Sequence, residues 1–292
     1  MPLPAPRQPP FDRIRRNGPT PVTDSTVKSE QILLAQMTWP EAEAAISRSP
    51  LAIVPTGACE QHGAHMSLDT DTVRAEGFSR RLAEEFAPRA VVTPCLTPGV
   101  SAHHMAFAGT LSVSPVTFQQ MLYEVVESLY THGWRYVFIV NGHGGNMSAC
   151  GVAASRLQAD FPDLTVAWTG ITSLVSDVAA EHTVGPKAAH SSEIETSQTL
   201  YFDPSRVRSD VLEAARQSGT TPTRYPGVSG VAGIKAPRPF HKVSPDGATG
   251  TPSAATAELG QKLIETAVAR ATGFLESFLG DAETAVAPSP TR

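Results

Sequence analysis

The chain has 292 residues, enough for one large α/β domain or two smaller ones, and its 41% apolar and 17% charged content is that of an ordinary folded protein. A formal net charge of -5 leaves no basic field to gather phosphates, so nucleic acid is excluded as an expected partner. No run approaches the ~18 apolar residues of a membrane-spanning helix, and the arginines of MPLPAPRQPPFDRIRRNG precede no apolar stretch of a secretory signal, so a cytoplasmic protein without a membrane partner is expected.

Residues 1–30, rich in Pro, Arg and Thr, read as a flexible leading segment, and residues 281–292 (DAETAVAPSPTR) as a flexible tail. Between them neither a repeat nor a linker divides the chain, so 31–280 is expected to be one domain. In chain order, LAIVP (51–55) reads as a buried strand and 72–86 as a helix with its charges on one face. VVTPCL (91–96) is a second strand, 117–132 a long helix, and RYVFIV (135–140) a third strand. A helix is expected after Gly145, followed by a fourth strand, LTVAWT (164–169). Strands alternating with helices imply a single three-layer α/β/α domain with a mainly parallel sheet. In such sheets ligands gather at the carboxyl ends of the strands, so chemistry is expected just after each apolar run.

After LAIVP comes TGACEQHGAHMSLDTDT, with Glu60, His62, Asp69 and Asp71 as potential metal ligands. Residues two apart in an extended segment face the same way, so Glu60 and His62 can share a cavity, and glycines let the loop fold Asp71 back to them. Carboxylate with imidazole suits zinc, manganese or iron(II) rather than calcium. Asp69 sits where a helix cap is needed and is expected to cap. The third strand runs into Asn141-Gly-His143-Gly-Gly-Asn146, where His143 is well placed to reach the same cleft. A phosphate cradle is a weaker reading of these glycines, because the Walker lysine and the GxGxxG spacing are absent.

The stretch HSSEIETS offers His190 with Glu193 and Glu195; two apart on a helix, the glutamates point to different sides, and Glu195 is expected at the site. Glu193 is then a favourable negative charge at a helix start. Ser101 and His104, after VVTPCL, are expected to touch substrate together with Gly144, while His103 is expected to diverge from its neighbour. His132 reads as a helix-end or surface residue, and His182 and His241 have no supporting constellation. The three cysteines, Cys59, Cys95 and Cys150, contain no C-x-x-C pair and read as reduced and mostly buried thiols.

Together TGACEQHGAHMSLDTDT, PGVSAHHMAFAGTLS, FIVNGHGGN and HSSEIETS, with a weaker echo in GATGTPSAATAELGQKL, resemble the creatininase (creatinine amidohydrolase) family over most of residues 35–275. The resemblance implies two divalent metal ions per subunit, zinc and/or manganese, and a homo-oligomer, commonly a hexamer built as a trimer of dimers. Carried over by position, it makes Glu60 and His143 ligands of one metal, His62 a ligand of the second, and Asp71 the bridge. Creatinine-cleaving members place a further glutamate where this chain has Gly145, so Glu195 is expected to supply that ligand. They also carry an aromatic residue at the position of Gly144 and a tryptophan near Gly185-Pro186-Lys187, departures that point away from creatinine itself. Other relatives act on formamide-type pyrimidines, cyclic keto-sugars or the C-terminal peptide of a redox-cofactor precursor.

The expected activity is hydrolysis of a C–N bond in a small amide, cyclic or linear, by metal-activated water, with His190 and Glu195 serving proton transfer. Three alternatives stand beside it: a peptide or non-amide ring substrate, a nucleophile made of Ser101 or Cys59 with a neighbouring histidine, and a metal-binding assembly protein without turnover.

Overall fold

The computed structural model describes residues 31–184, 190–212 and 238–285, with side chains described to residue 280. The leading segment 1–30, Gly185-Pro186-Lys187 and residues 286–292 therefore lie outside the described residues.

Continuous apolar runs form the strands β1 (Leu51–Thr56), β2 (Ala90–Val92), β3 (Tyr136–Asn141) and β4 (Thr165–Gly170). All pair in parallel, in the order β2-β1-β3-β4. Around them lie helices α1 (Trp39–Arg48), α2 (Thr70–Glu85), α3 (Pro115–His132), α4 (Met147–Asp160), α5 (Ser176–His182), α6 (Glu193–Phe202) and α7 (Ala257–Ala285). The period of two along the strands divides the core. Leu51, Ile53, Phe138 and Val140 pack under α2, α5, α6 and α7, whereas Ala52, Val54, Val137 and Ile139 pack under α1, α3 and α4. The result is the expected three-layer parallel sandwich. Helix α7 continues past residue 280 to Ala285.

The second strand is shorter than the expected 91–96. Pro94 and Pro55 lack the N–H a parallel ladder needs. The ladder stops at Val92, and the chain rejoins β1 only where the Leu96 N–H donates to the Pro55 carbonyl at 3.0 Å. Helix α1 was not expected at all; it buries only Ala45.

The connection from β1 crosses to β2 on one side, and β3 then lies on the other, so the strand order reverses between β1 and β3. That reversal opens a crevice at their carboxyl ends. Both ligand-rich loops, after Thr56 and after Asn141, start at this crevice. No helix of the described residues is long and apolar enough to cross a membrane.

Candidate metal centre and its cavity

The two strand ends are tied by a hydrogen bond from Thr56 Oγ1 to Asn141 Oδ1 at 2.9 Å. Asn141 then shapes the next turn: its Nδ2 donates to the His143 carbonyl at 2.6 Å and its Oδ1 accepts from the His143 N–H at 3.2 Å. Asn146 staples three loops, donating to the Gly57 carbonyl and accepting from the Val100 N–H, both at 2.9 Å. The first turn of α2 enters between the strands because residue 142 is glycine; a Cβ there would stand 2.3 Å from the Asp71 carbonyl oxygen. Asp71 thus arrives at the crevice on the positive end of a helix, where a carboxylate is favoured.

Glu60, His62, Asp71 and His143, each at most 4% exposed, meet there. His62 Nδ1 donates to the Glu60 carbonyl at 3.0 Å, which aims Nε2 at Asp71 Oδ1, 3.3 Å away. His143 Nδ1 lies 3.0 Å from Asp71 Oδ2, and its Nε2 lies 3.4 Å from Glu60 Oε2. Glu60 Oε2, His62 Nε2 and Asp71 Oδ2 are buried and complete no hydrogen bond. Unpartnered buried polar atoms are costly, and a cation that displaces the imidazole proton satisfies all three.

Ligand atoms of Glu60, Asp71 and His143 lie within 4.8 Å of one another, as do those of His62, Asp71 and Glu195. The two groups share Asp71. Glu60, His62 and His190 form a further such group, as do Glu60, His103 and His104.

The charges follow from this crowding. Burial pushes the Glu60 carboxyl up to about 7, against the pull of His143. Asp71 is buried too, yet His62 and His143 hold it well below the usual carboxylate range. Despite burial, Asp71 raises both of those imidazoles to about 9. His190 and His104 move the other way, to about 3 and about 2, through burial and the neighbouring histidines.

Glu195 reaches the centre from the first turn of α6, whereas Glu193 accepts from the Val184 N–H at 2.9 Å, so the two glutamates part as expected for their spacing. Behind Asp71 and Glu195 stands Arg74, only 1% exposed and missed by sequence reasoning. Its Nη1 lies 2.9 Å from Glu195 Oε1 and 3.4 Å from Asp71 Oδ1. Burial alone would raise the Glu195 carboxyl, but Arg74 keeps it below its ordinary value.

The centre opens into a cavity of about 450 Å³ lined by His103, His104, Gly144, Thr172, His190 and Phe240 among others. Both members of the 103–104 pair therefore face it, against the expectation that one diverges. Phe240, also unforeseen, stacks on His104 at 4.3 Å between ring centroids. Ser101 is fully buried and does not line the cavity; its hydroxyl meets His143 Nε2 at 3.2 Å. Asp71, His143 and Ser101 thus line up like a nucleophile triad. Substrate has no access to Ser101, and the Val100 carbonyl, 3.0 Å away, competes for the same nitrogen. Cys59 sits outside the cavity with its thiol 3.6 Å from the Gly109 carbonyl.

Asp69 occupies the cap position of α2, but its carboxylate makes no cap; it accepts from Ser67 Oγ at 2.5 Å and pairs with Arg206 at 3.2 Å. At Gly145 a Cβ would stand 2.1 Å from the Val100 carbonyl oxygen, so this backbone has no room for a glutamate there. His132, His182 and His241 are exposed.

The parallel sandwich and the acid-and-imidazole cluster at its crevice define a hydrolytic α/β enzyme. The chain belongs to the creatininase family, whose model, described as creatinine amidohydrolase, matches residues 35–275. It is 34% identical over 228 residues to the mycofactocin precursor peptide peptidase of Mycobacterium tuberculosis, covering 75% of this chain and 81% of that one. To the creatinine amidohydrolase of Pseudomonas putida it is 26% identical over 259 residues, covering 82% of this chain and 94% of that one. A crystal structure of creatininase superposes with a TM-score of 0.70 at 24% identity, over 85% of this chain and 98% of the other. Similar solved structures include a zinc–zinc form of a creatininase variant and a manganese form of creatininase.

Proposed function

We propose that this protein is a two-metal amidohydrolase: Glu60, Asp71 and His143 hold one divalent cation, His62, Asp71 and Glu195 hold the other, and water cleaves a C–N bond of an amide. The observation that supports this most strongly is the trio of buried polar atoms, Glu60 Oε2, His62 Nε2 and Asp71 Oδ2, that lack hydrogen-bond partners. Zinc, manganese or iron(II) suits the mixed donor set, and creatininases are known in zinc and manganese forms. Bound there, the cations supply Lewis acidity, bringing the pKa of water toward neutrality and polarising the amide carbonyl.

The protein's own groups do the rest. His190 turns Nδ1 toward Glu60 Oε1, 3.6 Å away, and from that position takes the proton of the attacking water and delivers it to the leaving nitrogen. Burial and then the charge of His62 depress its basicity, and the second effect is relieved when His62 gives up its proton to act as a ligand.

For the substrate, a linear amide such as a peptide C-terminal segment fits better than creatinine. Nothing lies within 4 Å of where a Cβ on Gly144 would stand, so the cavity is open on that side. Likeness to the peptidase, at 34% identity, favours the same reading. A small cyclic amide is the second reading, favoured by likeness to creatinine amidohydrolase across 82% of the chain. A hexamer built as a trimer of dimers and a cytoplasmic location complete the proposal; light scattering on the purified protein tests the first.

The test is a panel of peptides, formamides, cyclic amides and creatinine, offered to chelator-stripped protein with and without zinc or manganese. Turnover of a peptide or amide that returns with metal is expected. Glu60→Ala, His62→Ala and His143→Ala are expected to lose bound metal, by elemental mass spectrometry, together with activity. Full activity in a chain shown to be metal-free would refute the proposal.

A further inference from the structure

Gln61 lies in sequence between two proposed ligands, Glu60 and His62. Its side chain is 5% exposed, and four groups surround it. The Gly63 N–H donates to Oε1 at 3.0 Å, and Nε2 donates to the Gly247 carbonyl at 3.0 Å. A backbone N–H only donates and a carbonyl only accepts, so these contacts fix which end of the amide is nitrogen. Gly247 has φ +81, and a Cβ there would stand 1.9 Å from Gln61 Oε1; only glycine lets this loop close over the amide.

The orientation propagates to two rings. Gln61 Nε2 lies 2.7 Å from His104 Nδ1, which must accept, so the His104 proton sits on Nε2. That nitrogen lies 3.4 Å from Glu60 Oε1. His190 Nε2 lies 2.8 Å from the Gln61 backbone carbonyl, which only accepts, and 3.1 Å from Gln61 Nε2; donating to the nearer carbonyl leaves Nδ1 bare and 3.6 Å from the same Oε1. Both rings share one tautomer but turn opposite ends to the cavity. Phe240, stacked on His104 at 4.3 Å and edge-on to His190 at 4.8 Å, keeps the pair in place.

We infer that Gln61 is a positioning residue that sets the His104 tautomer, so that His104 offers the cavity an N–H beside the bare nitrogen of His190. In the proposed hydrolysis, on which this assignment of roles rests, His104 Nε2–H donates to the carbonyl oxygen as charge develops on it, and His190 Nδ1 receives the proton of water. Were the His104 proton on Nδ1, a lone pair would face Glu60 and the oxyanion would lose a donor.

The tautomers are read directly by long-range proton–nitrogen correlation on full-length, zinc-loaded protein with nitrogen-15 histidines at neutral pH. Signals are assigned with His104→Asn and His190→Asn. Both rings are expected as neutral Nε2–H forms. In Gln61→Glu a carboxylate faces His104 and accepts, so its proton is expected to move to Nδ1. His190 should stay in its Nε2–H form, because its backbone carbonyl partner remains and the side chain beside it, 3.1 Å away in the unmodified protein, becomes a second acceptor. In Gln61→Met the His104 signals are expected to become a mixture, again without change at His190. Finding His104 as Nδ1–H or as imidazolium in the unmodified protein overturns the inference, and so does a joint shift of both rings in the folded variants. If Gln61→Glu does not fold, the unmodified and Gln61→Met spectra decide. If the protein takes up no zinc, the two-metal proposal fails while the same spectra of the metal-free chain still report the tautomers.

Discussion

Replacing Arg74 by methionine is expected to destabilise the metal-free protein by about 3–5 kcal/mol, the range for removing one member of a buried ion pair. The guanidinium spends every arm on a buried or half-buried partner. Its Nε donates to Gln198 Oε1 at 2.9 Å, Nη1 to Glu195, Asp71 and the Gly142 carbonyl, and Nη2 to Thr172 Oγ1 at 3.0 Å. Methionine fills much of the volume, so the loss comes mainly from charge and from orphaned acceptors rather than from a cavity. Without Arg74, two carboxylates stay buried with only imidazolium partners. Two divalent cations compensate those same carboxylates. Zinc is therefore expected to restore part of the deficit, leaving Arg74→Met closer to the unmodified protein when loaded than when stripped. Urea unfolding followed by circular dichroism on both forms measures this. Equal stability of the two stripped proteins would mean that Arg74 does not hold the carboxylates.

Arg74 also shows where sequence reasoning reached its limit. The central strands β1 and β3 were legible because a parallel strand covered on both faces is a continuous apolar run. The ligand loops were legible because in such a sheet they follow strand ends. Arg74, by contrast, reads as one more charge on the polar face of a helix. A usable signal existed: Asp71, Arg74, Ala75, Phe78 and Leu82 make the inward stripe of α2, and an arginine inside such a stripe, three residues after an acid, needs a buried partner. The capping box of Thr38 and Glu41 would likewise have marked α1, whose apolar face is too slight to show in hydrophobic periodicity. The end of β2 was not legible, since it depends on Pro55 facing β2 with no N–H to give, a matter of register. Phe240 and Gly247 reach the histidines only by the return of a distant loop, and no local pattern announces such a contact.

Raising the pH from about 7 to about 8.5 is expected to weaken the metal-free fold and, over the same range, to strengthen zinc binding. His62 and His143 ordinarily titrate near 6.5 but are raised to about 9 in the folded chain, against the effect of burial, by Asp71. A raised imidazole adds stability that is full below about 6.5 and is lost as pH climbs through the folded value. Of the other perturbed groups at the centre, Glu60, at about 7, is about half protonated at the start of this window and loses the rest within it, which acts in the same direction. His65, His104 and His190 are neutral in the folded chain throughout it, so their unfolded counterparts, shedding the last of their charge just above pH 7, offset a small part of the loss. The thiols of Cys95 and Cys150, pushed up by burial, add to the loss only where an unfolded cysteine begins to ionise, near the upper limit. Two protons over about 1.5 pH units give a loss on the order of 2–4 kcal/mol in the metal-free chain. Zinc requires both imidazoles bare, so loading at about pH 7.5 is expected to expel about two protons per chain. Calorimetry in buffers of different ionisation heat counts those protons, and thermal unfolding of stripped and loaded protein across the range follows the widening gap. Zinc uptake without proton release would place the ion away from His62 and His143.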